Sequence, residues 1–153
     1  MKKSIKLSLA LLATTLLFAC SPEPKTSEVT VNMSKSELIN TMGEPDYIET
    51  NSSNILEDIE PGIKILVRAQ EDMLDKDSSE YTSEEARLYD RRKVILSELQ
   101  DVLVALANND TLDRYDYLNE DIYFEGSDKV EDGDMKVYVL EGRVIHVHSS
   151  SNE

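Results

Sequence analysis

His146 and His148 are the only histidines of the chain. Two residues apart in a β-rich run, they would share one face of a strand, a spacing known for metal ligands. With 31 Asp and Glu in the sequence, a third ligand is not hard to find. The plainer reading is a solvent-facing polar pair opposite Ile145 and Val147. His146 and His148 are thus the metal candidates, but no metal or other cofactor is assigned. The acidic run from Glu125 to Asp134 raises calcium as a second possibility. It lacks the Asp-x-Asp-x-Asp-Gly spacing and the closing Glu of an EF-hand, so an ordinary acidic loop is expected. No Gly-x-Ser-x-Gly elbow or phosphate-cradling glycine loop occurs, and no pair of carboxylates stands out as acid and base. The expectation is a protein that is not an enzyme.

Cys20 is the only cysteine, so it cannot form an internal disulfide. Its context gives it another use. Lys2, Lys3 and Lys6 precede an uncharged apolar stretch from Leu7 to Ala19. As a helix that stretch would reach about 20 Å, short of the roughly 30 Å hydrocarbon core of a membrane. The pattern predicts a secretory signal peptide over residues 1–19. Leu17-Phe18-Ala19-Cys20 resembles a bacterial lipobox, with Leu three residues before the cysteine and a small residue directly before it. That resemblance implies lipidation at Cys20 by diacylglycerol, with fatty acids such as palmitate as the acyl chains. More than one acyl chain anchors stably where a single chain is marginal. Ser21 follows, where Asp would retain such a lipoprotein in the inner membrane of a Gram-negative cell. The implied address is the cell envelope facing the periplasm, at the outer membrane if the host is Gram-negative.

Removing the signal takes three lysines with it, which moves the formal charge from −15 to −18. Such an acidic protein repels nucleic acid and anionic headgroups, so neither is expected as a partner. A basic protein would be attracted.

The elements that must position these residues follow from caps and periodicity. Residues 20–30 contain Pro22 and Pro24 and read as a lipidated Cys with a flexible tether. Ser34 and Glu37 form a capping box, Leu38, Ile39 and Met42 give a buried face, and Gly43 suits a left-handed C′ position before Pro45. A helix is predicted to open at Glu60-Pro61-Gly62, with proline in the first turn, and to run to about Asp75. Asp77–Glu80 reads as a turn. Thr82 and Glu85 form a second capping box for a helix from Ser83 to Ala107. Leu88, Ile95 and Val102 recur every seven residues, as do Arg92, Leu99 and Leu106, which suits an antiparallel helical hairpin. A partner helix or self-association is the alternative. A Tyr-containing polar stretch precedes a short strand at Asp121–Glu125. Asp134–Leu140 and Arg143–His148 then flank Glu141-Gly142 as a β-hairpin, with Met135, Val137 and Val139 on one face and Lys136, Tyr138 and Leu140 on the other. The expected fold is α+β: a short N-terminal helix, a long helical hairpin and a C-terminal antiparallel sheet of about three strands. It forms one domain over residues 31–149, followed by a disordered tail at 150–153.

Met33–Asp46, a capped helix ending in Met-Gly-Glu-Pro, and the closing Val137-Tyr-Val-Leu-Glu-Gly-Arg-Val-Ile-His-Val147 resemble the SmpA/OmlA (BamE)-like outer-membrane lipoproteins. The resemblance implies a helix-on-sheet fold and an envelope location. The chain departs from that pattern in two ways: a largely helical segment follows the Gly-x-Pro, and no Trp is present. The function expected is a non-enzymatic, membrane-anchored module for protein interaction or assembly, with another envelope protein as partner. The alternatives are a small-ligand or metal-binding periplasmic lipoprotein and an acidic inhibitor of a basic hydrolase. Substituting Cys20→Ala is expected to move the protein out of the membrane fraction, or to leave it unprocessed, on fractionation and immunoblotting. Correctly cleaved Cys20→Ala protein that still sediments with membranes would sink the anchor reading.

Overall fold

The computed structural model describes residues 25–74, 81–123 and 130–151. Cys20, the signal segment, the Asp77–Glu80 turn and residues 125–129 of the acidic run lie outside them. The elements run α1 (Lys35–Met42), β1 (Tyr47–Glu49), α2 (Ser52–Leu74), α3 (Ser83–Asn108), β2 (Leu112–Tyr123), β3 (Val130–Leu140) and β4 (Arg143–Ser151). The fold is α+β. Among the described residues the sheet has four antiparallel strands, in the order β1-β2-β3-β4. The helical hairpin α2–α3 is inserted between the neighbouring strands β1 and β2.

Both sheet faces are covered. Met135, Val137 and Val139 of β3 pack with Tyr115 and Tyr117 of β2, Val144 of β4, and Leu38 and Met42 of α1. Tyr138 of β3 packs on the other face with Leu112, with Ile55 and Ile59 of α2 and with Leu99 and Val102 of α3. The faces expected for β3 are therefore the faces observed. Each fully buried aliphatic side chain among these contributes about 1.5–3 kcal/mol, so neither helical layer is decoration.

Capping fixes the helix ends much as the sequence predicts. Ser34 and Glu37 close a capping box on α1, and Thr82 and Glu85 close one on α3. Gly43 ends α1 with φ 92° and ψ −170°. This is not the left-handed helical region expected but an extended positive-φ conformation open essentially to glycine alone.

The start of α2 is different from the expectation. It begins at Ser52, so Pro61 lies inside the helix rather than in its first turn. The cause is a cap that the sequence hides. The Asn51 side chain accepts hydrogen bonds from the amides of Ser53 (2.9 Å) and Asn54 (3.4 Å). Glu49 of β1 in turn accepts from the Asn51 amide and the Asn54 side chain, each at 2.8 Å. Burial of Ile55 and Ile59 in the second core then holds the two turns before Pro61, offsetting the proline's missing N–H.

α2 and α3 pack against each other as the predicted hairpin. Arg92, the polar break in the heptad series, donates to the Ala69 carbonyl of α2 at 3.4 Å. Near it the Gln70 amide is buried without a hydrogen-bond partner among the described residues. That costs about 1–3 kcal/mol, so this level of the hairpin is its weak part.

Three further expectations are corrected. Residues 25–30 are not free tether: Lys25–Glu28 form a 3-10 turn, Thr26 donates to the Asp121 carbonyl at 2.6 Å, and Val29 joins the first core. The polar stretch before Asp121 is part of the twelve-residue strand β2, which pairs with β1 and β3. β4 continues through Ser151, which pairs with Gly133, so the tail read from Ser150 onward is partly strand. Pairing with β2, joined by β4 from Gly133 onward, also puts Val130–Asp134 of the acidic run in β3 rather than in a loop. Glu141 and Gly142 both have positive φ, as a type I′ hairpin turn requires.

Gly133 is where β3 tolerates no side chain. A Cβ there would meet the Ser150 carbonyl oxygen at 2.4 Å and Ile122 Cδ1 at 2.8 Å. Gly133→Ala is expected to cost about 1–3 kcal/mol, read as a lower urea midpoint at unchanged slope. An unchanged midpoint would show that β4 does not pair in this register.

Candidate functional site

The site lies where α2, α3, β3 and β4 meet. A cleft of about 320 Å³ is lined by Ile59, Ile65, Leu66, Ile95 and Leu99, with Asp58, Lys136, Tyr138, His146 and His148 gathered beside them and Gly62 in its wall. The sheet supplies the polar groups because Lys136 and Tyr138 alternate with the core residues of β3, and His146 sits opposite Tyr138 in the β3–β4 register. A bulge at Tyr138/Val139 shifts β4, so Ile145 packs against the second core, on the same side as His146. The histidines are therefore not opposite Ile145 as the strand alternation predicts.

Asp58, from α2, is the centre of the polar group. One carboxylate oxygen accepts from the Lys136 ammonium at 2.5 Å, and the other accepts from the Tyr138 hydroxyl at 3.1 Å. Arg114 of β2 lies 3.4 Å from that second oxygen. Arg114 is itself held in a two-pronged pair with Asp116, at 2.7 and 2.8 Å. Burial pushes the Asp58 carboxyl up, but the Lys136 ammonium, the Tyr138 hydroxyl and the Arg114 guanidinium outweigh it and hold it below the usual carboxylate range. Burial and the Asp58 charge push the Tyr138 hydroxyl well above the ordinary tyrosine range, so it stays a donor.

His146 is not solvent-facing: it is 3% exposed. Its Nδ1 lies 2.8 Å from a carboxylate oxygen of Glu98 on α3, and its ring lies against Tyr138 with centroids 5.4 Å apart. His148 stands at the rim of the cleft. Burial, then His146 and Lys136, push its imidazole below the usual value, so it is neutral near pH 7. Among the described residues no group of three or more His, Cys, Asp and Glu is arranged to hold a metal ion. The two candidates share a face, but His146 is already engaged by Glu98.

Sequence reasoning found the two histidines and missed Asp58, Arg114, Glu98 and Gly62. Asp58 and Glu98 are two of many acids on helical surfaces, and nothing in their spacing marks them. Arg114-Tyr-Asp116 did carry a signal: an i, i+2 charge pair, which on a strand points to one face.

Chemically, the arrangement can hold a ligand that combines an apolar body with a polar end. The cleft lining includes no serine, threonine or cysteine to act as a nucleophile. Comparison with protein-family models, curated proteins and solved structures returns no match.

Asp58→Asn removes the charge that Lys136 and Arg114 face. A loss of about 1–2 kcal/mol is expected at pH 7, between the value of an exposed ion pair and that of a charged hydrogen bond. Because the folded-state pKa of Asp58 is lowered, its contribution is complete above the ordinary value of 3.8 and fades as pH falls through the folded value. Urea unfolding of both proteins from pH 7 to pH 2 should show the gap closing at the acid end. A gap independent of pH would mean that the charge does not carry it.

Proposed function

We propose that this chain is a lipid-anchored lipoprotein of the bacterial envelope that binds a small ligand without transforming it, in the cleft between its helical hairpin and its sheet. The observation that carries the binding reading is the cleft itself: apolar walls with a few convergent polar groups at one end, the usual make-up of a ligand site. The anchor rests on the signal-like N-terminus and Cys20, and the outer membrane is proposed for a Gram-negative host because Ser21 follows that cysteine. The likeness to the SmpA/OmlA (BamE)-like family supports the same address. Among the described residues no helix is long and apolar enough to cross a membrane.

The non-catalytic part of the proposal follows from how the polar groups are used. Asp58 has three cationic or hydroxyl neighbours, and His146 has Glu98. These contacts fix the walls of the site more than they poise a reacting group. A protein-adaptor role is the second reading. Its support is the large apolar side chains that the two long helices expose, with Ile65 69%, Leu74 64% and Val94 57% accessible. Single exposed apolar residues are common, so they carry less weight than the cleft.

Thermal unfolding in the presence of the low-molecular-weight fraction of an envelope extract separates the two. A ligand present at about 100 times its Kd stabilises the folded state by about 2.7 kcal/mol, so at least one fraction should raise the midpoint. If no fraction does, and site-specific crosslinking from Leu74 or Val94 in intact cells traps one envelope protein, the adaptor reading replaces the ligand reading.

A further inference from the structure

We infer that the cleft takes a single aliphatic chain of medium length ending in a carboxylate, with the chain along Ile59, Ile65, Leu66, Ile95 and Leu99 and the carboxylate against Lys136 and His148. The inference rests on the ligand-binding reading above and names its ligand class.

Size limits the occupant first. A cleft of about 320 Å³ accommodates one short acyl chain with its head. Chain chemistry follows from the walls, which carry five aliphatic side chains and no aromatic ring other than Tyr138 and the two imidazoles.

The head is chosen by the hydrogen bonds left over. The acceptors in the site are engaged: Asp58 faces Lys136, Tyr138 and Arg114, and Glu98 faces His146. The donors are not exhausted. Lys136 gives one of its three N–H groups to Asp58, and His148 has no hydrogen-bond partner among the described residues. A site whose carboxylates are paired and whose one ammonium keeps N–H groups to give favours a head that accepts. A cationic head would meet Lys136 and find no free carboxylate.

Gly62 is the second, independent observation. It sits in the interior of α2 directly after Pro61, where glycine costs about 1 kcal/mol relative to alanine. Its φ is not in the positive region, so backbone conformation does not demand glycine there. A Cβ at Gly62 would meet nothing within 4 Å, and Gly62 lines the cleft, so a long side chain there has room to lie across it. What the missing side chain does is keep the wall open.

Titration of the mature protein with decanoate and with decyltrimethylammonium tests this, followed by NMR of the His146 and His148 ring protons and by thermal unfolding. Wild type should bind decanoate saturably and at least tenfold more tightly than the cation, with His148 shifting. Gly62→Leu should unfold at the same temperature or higher, since leucine is the better helix former, and should lose at least tenfold in decanoate affinity. His148→Leu, which leaves the Asp58 contacts alone, should weaken decanoate binding and reduce the preference over the cation. The inference is overturned by absent or unsaturable decanoate binding, by equal affinity for the two probes, or by full affinity in Gly62→Leu. If decanoate fails while an extract fraction still stabilises wild type and not Gly62→Leu, the cleft stands as the ligand site and only the ligand class is wrong.

Discussion

The carboxylate of Asp58 is the contact on which the relation of hairpin to sheet depends. At Asp58 α2 reaches two strands at once, β3 through Lys136 and Tyr138 and β2 through Arg114. Apolar packing of Ile55, Ile59 and Leu99 on Tyr138 supplies the larger share of the attraction but little direction. The charged contacts supply register: a slide of α2 by one turn would take Asp58 away from Lys136 and leave Arg114 with Asp116 alone. A partly buried ion pair of this kind is a weak source of net stability and a better source of specificity.

The same contact shapes the cleft. Asp58 draws α2 onto the polar end of β3, while one turn further on Gly62 withholds a side chain. The helix is thus pinned at one point and hollow at the next. His146 and Glu98 repeat the device from the other side, tying β4 to α3 beneath the cavity. The polar side chains of the walls are held by one another and, from outside the cleft, by Arg114 and Glu98, so a ligand would lose little to ordering them.

Much of the scaffold could be read along the chain. Two capping boxes placed the starts of α1 and α3 because they need only local residues, Ser34 with Glu37 and Thr82 with Glu85. The Glu141-Gly142 turn and the alternation of β3 were legible for the same reason. β2 was not. Its hairpin-side face carries Arg114 and Asp116, buried but charged, which erases the apolar–polar alternation that marks a strand. The first two turns of α2 were missed because their cap, Asn51, is held by Glu49 of a three-residue strand that exists only through pairing with β2.

By itself the sequence determined the signal-like N-terminus with its single cysteine, the local helix ends, the closing β-hairpin and the acidic charge. Each is set by neighbours a few residues apart, so no fold is needed to see it. Tertiary structure alone decided that the sheet is covered on both faces, that residues 25–30 pack rather than hang free, and that the histidines differ. His146 is buried against Glu98 while His148 stays at a rim, because a bulge in β4 and a helix 48 residues away in sequence set their surroundings. The cleft belongs to this second class as well. Asp58, Gly62, Lys136 and His146 have no common pattern along the chain, and only the docking of a helical hairpin on a sheet brings them to one cleft.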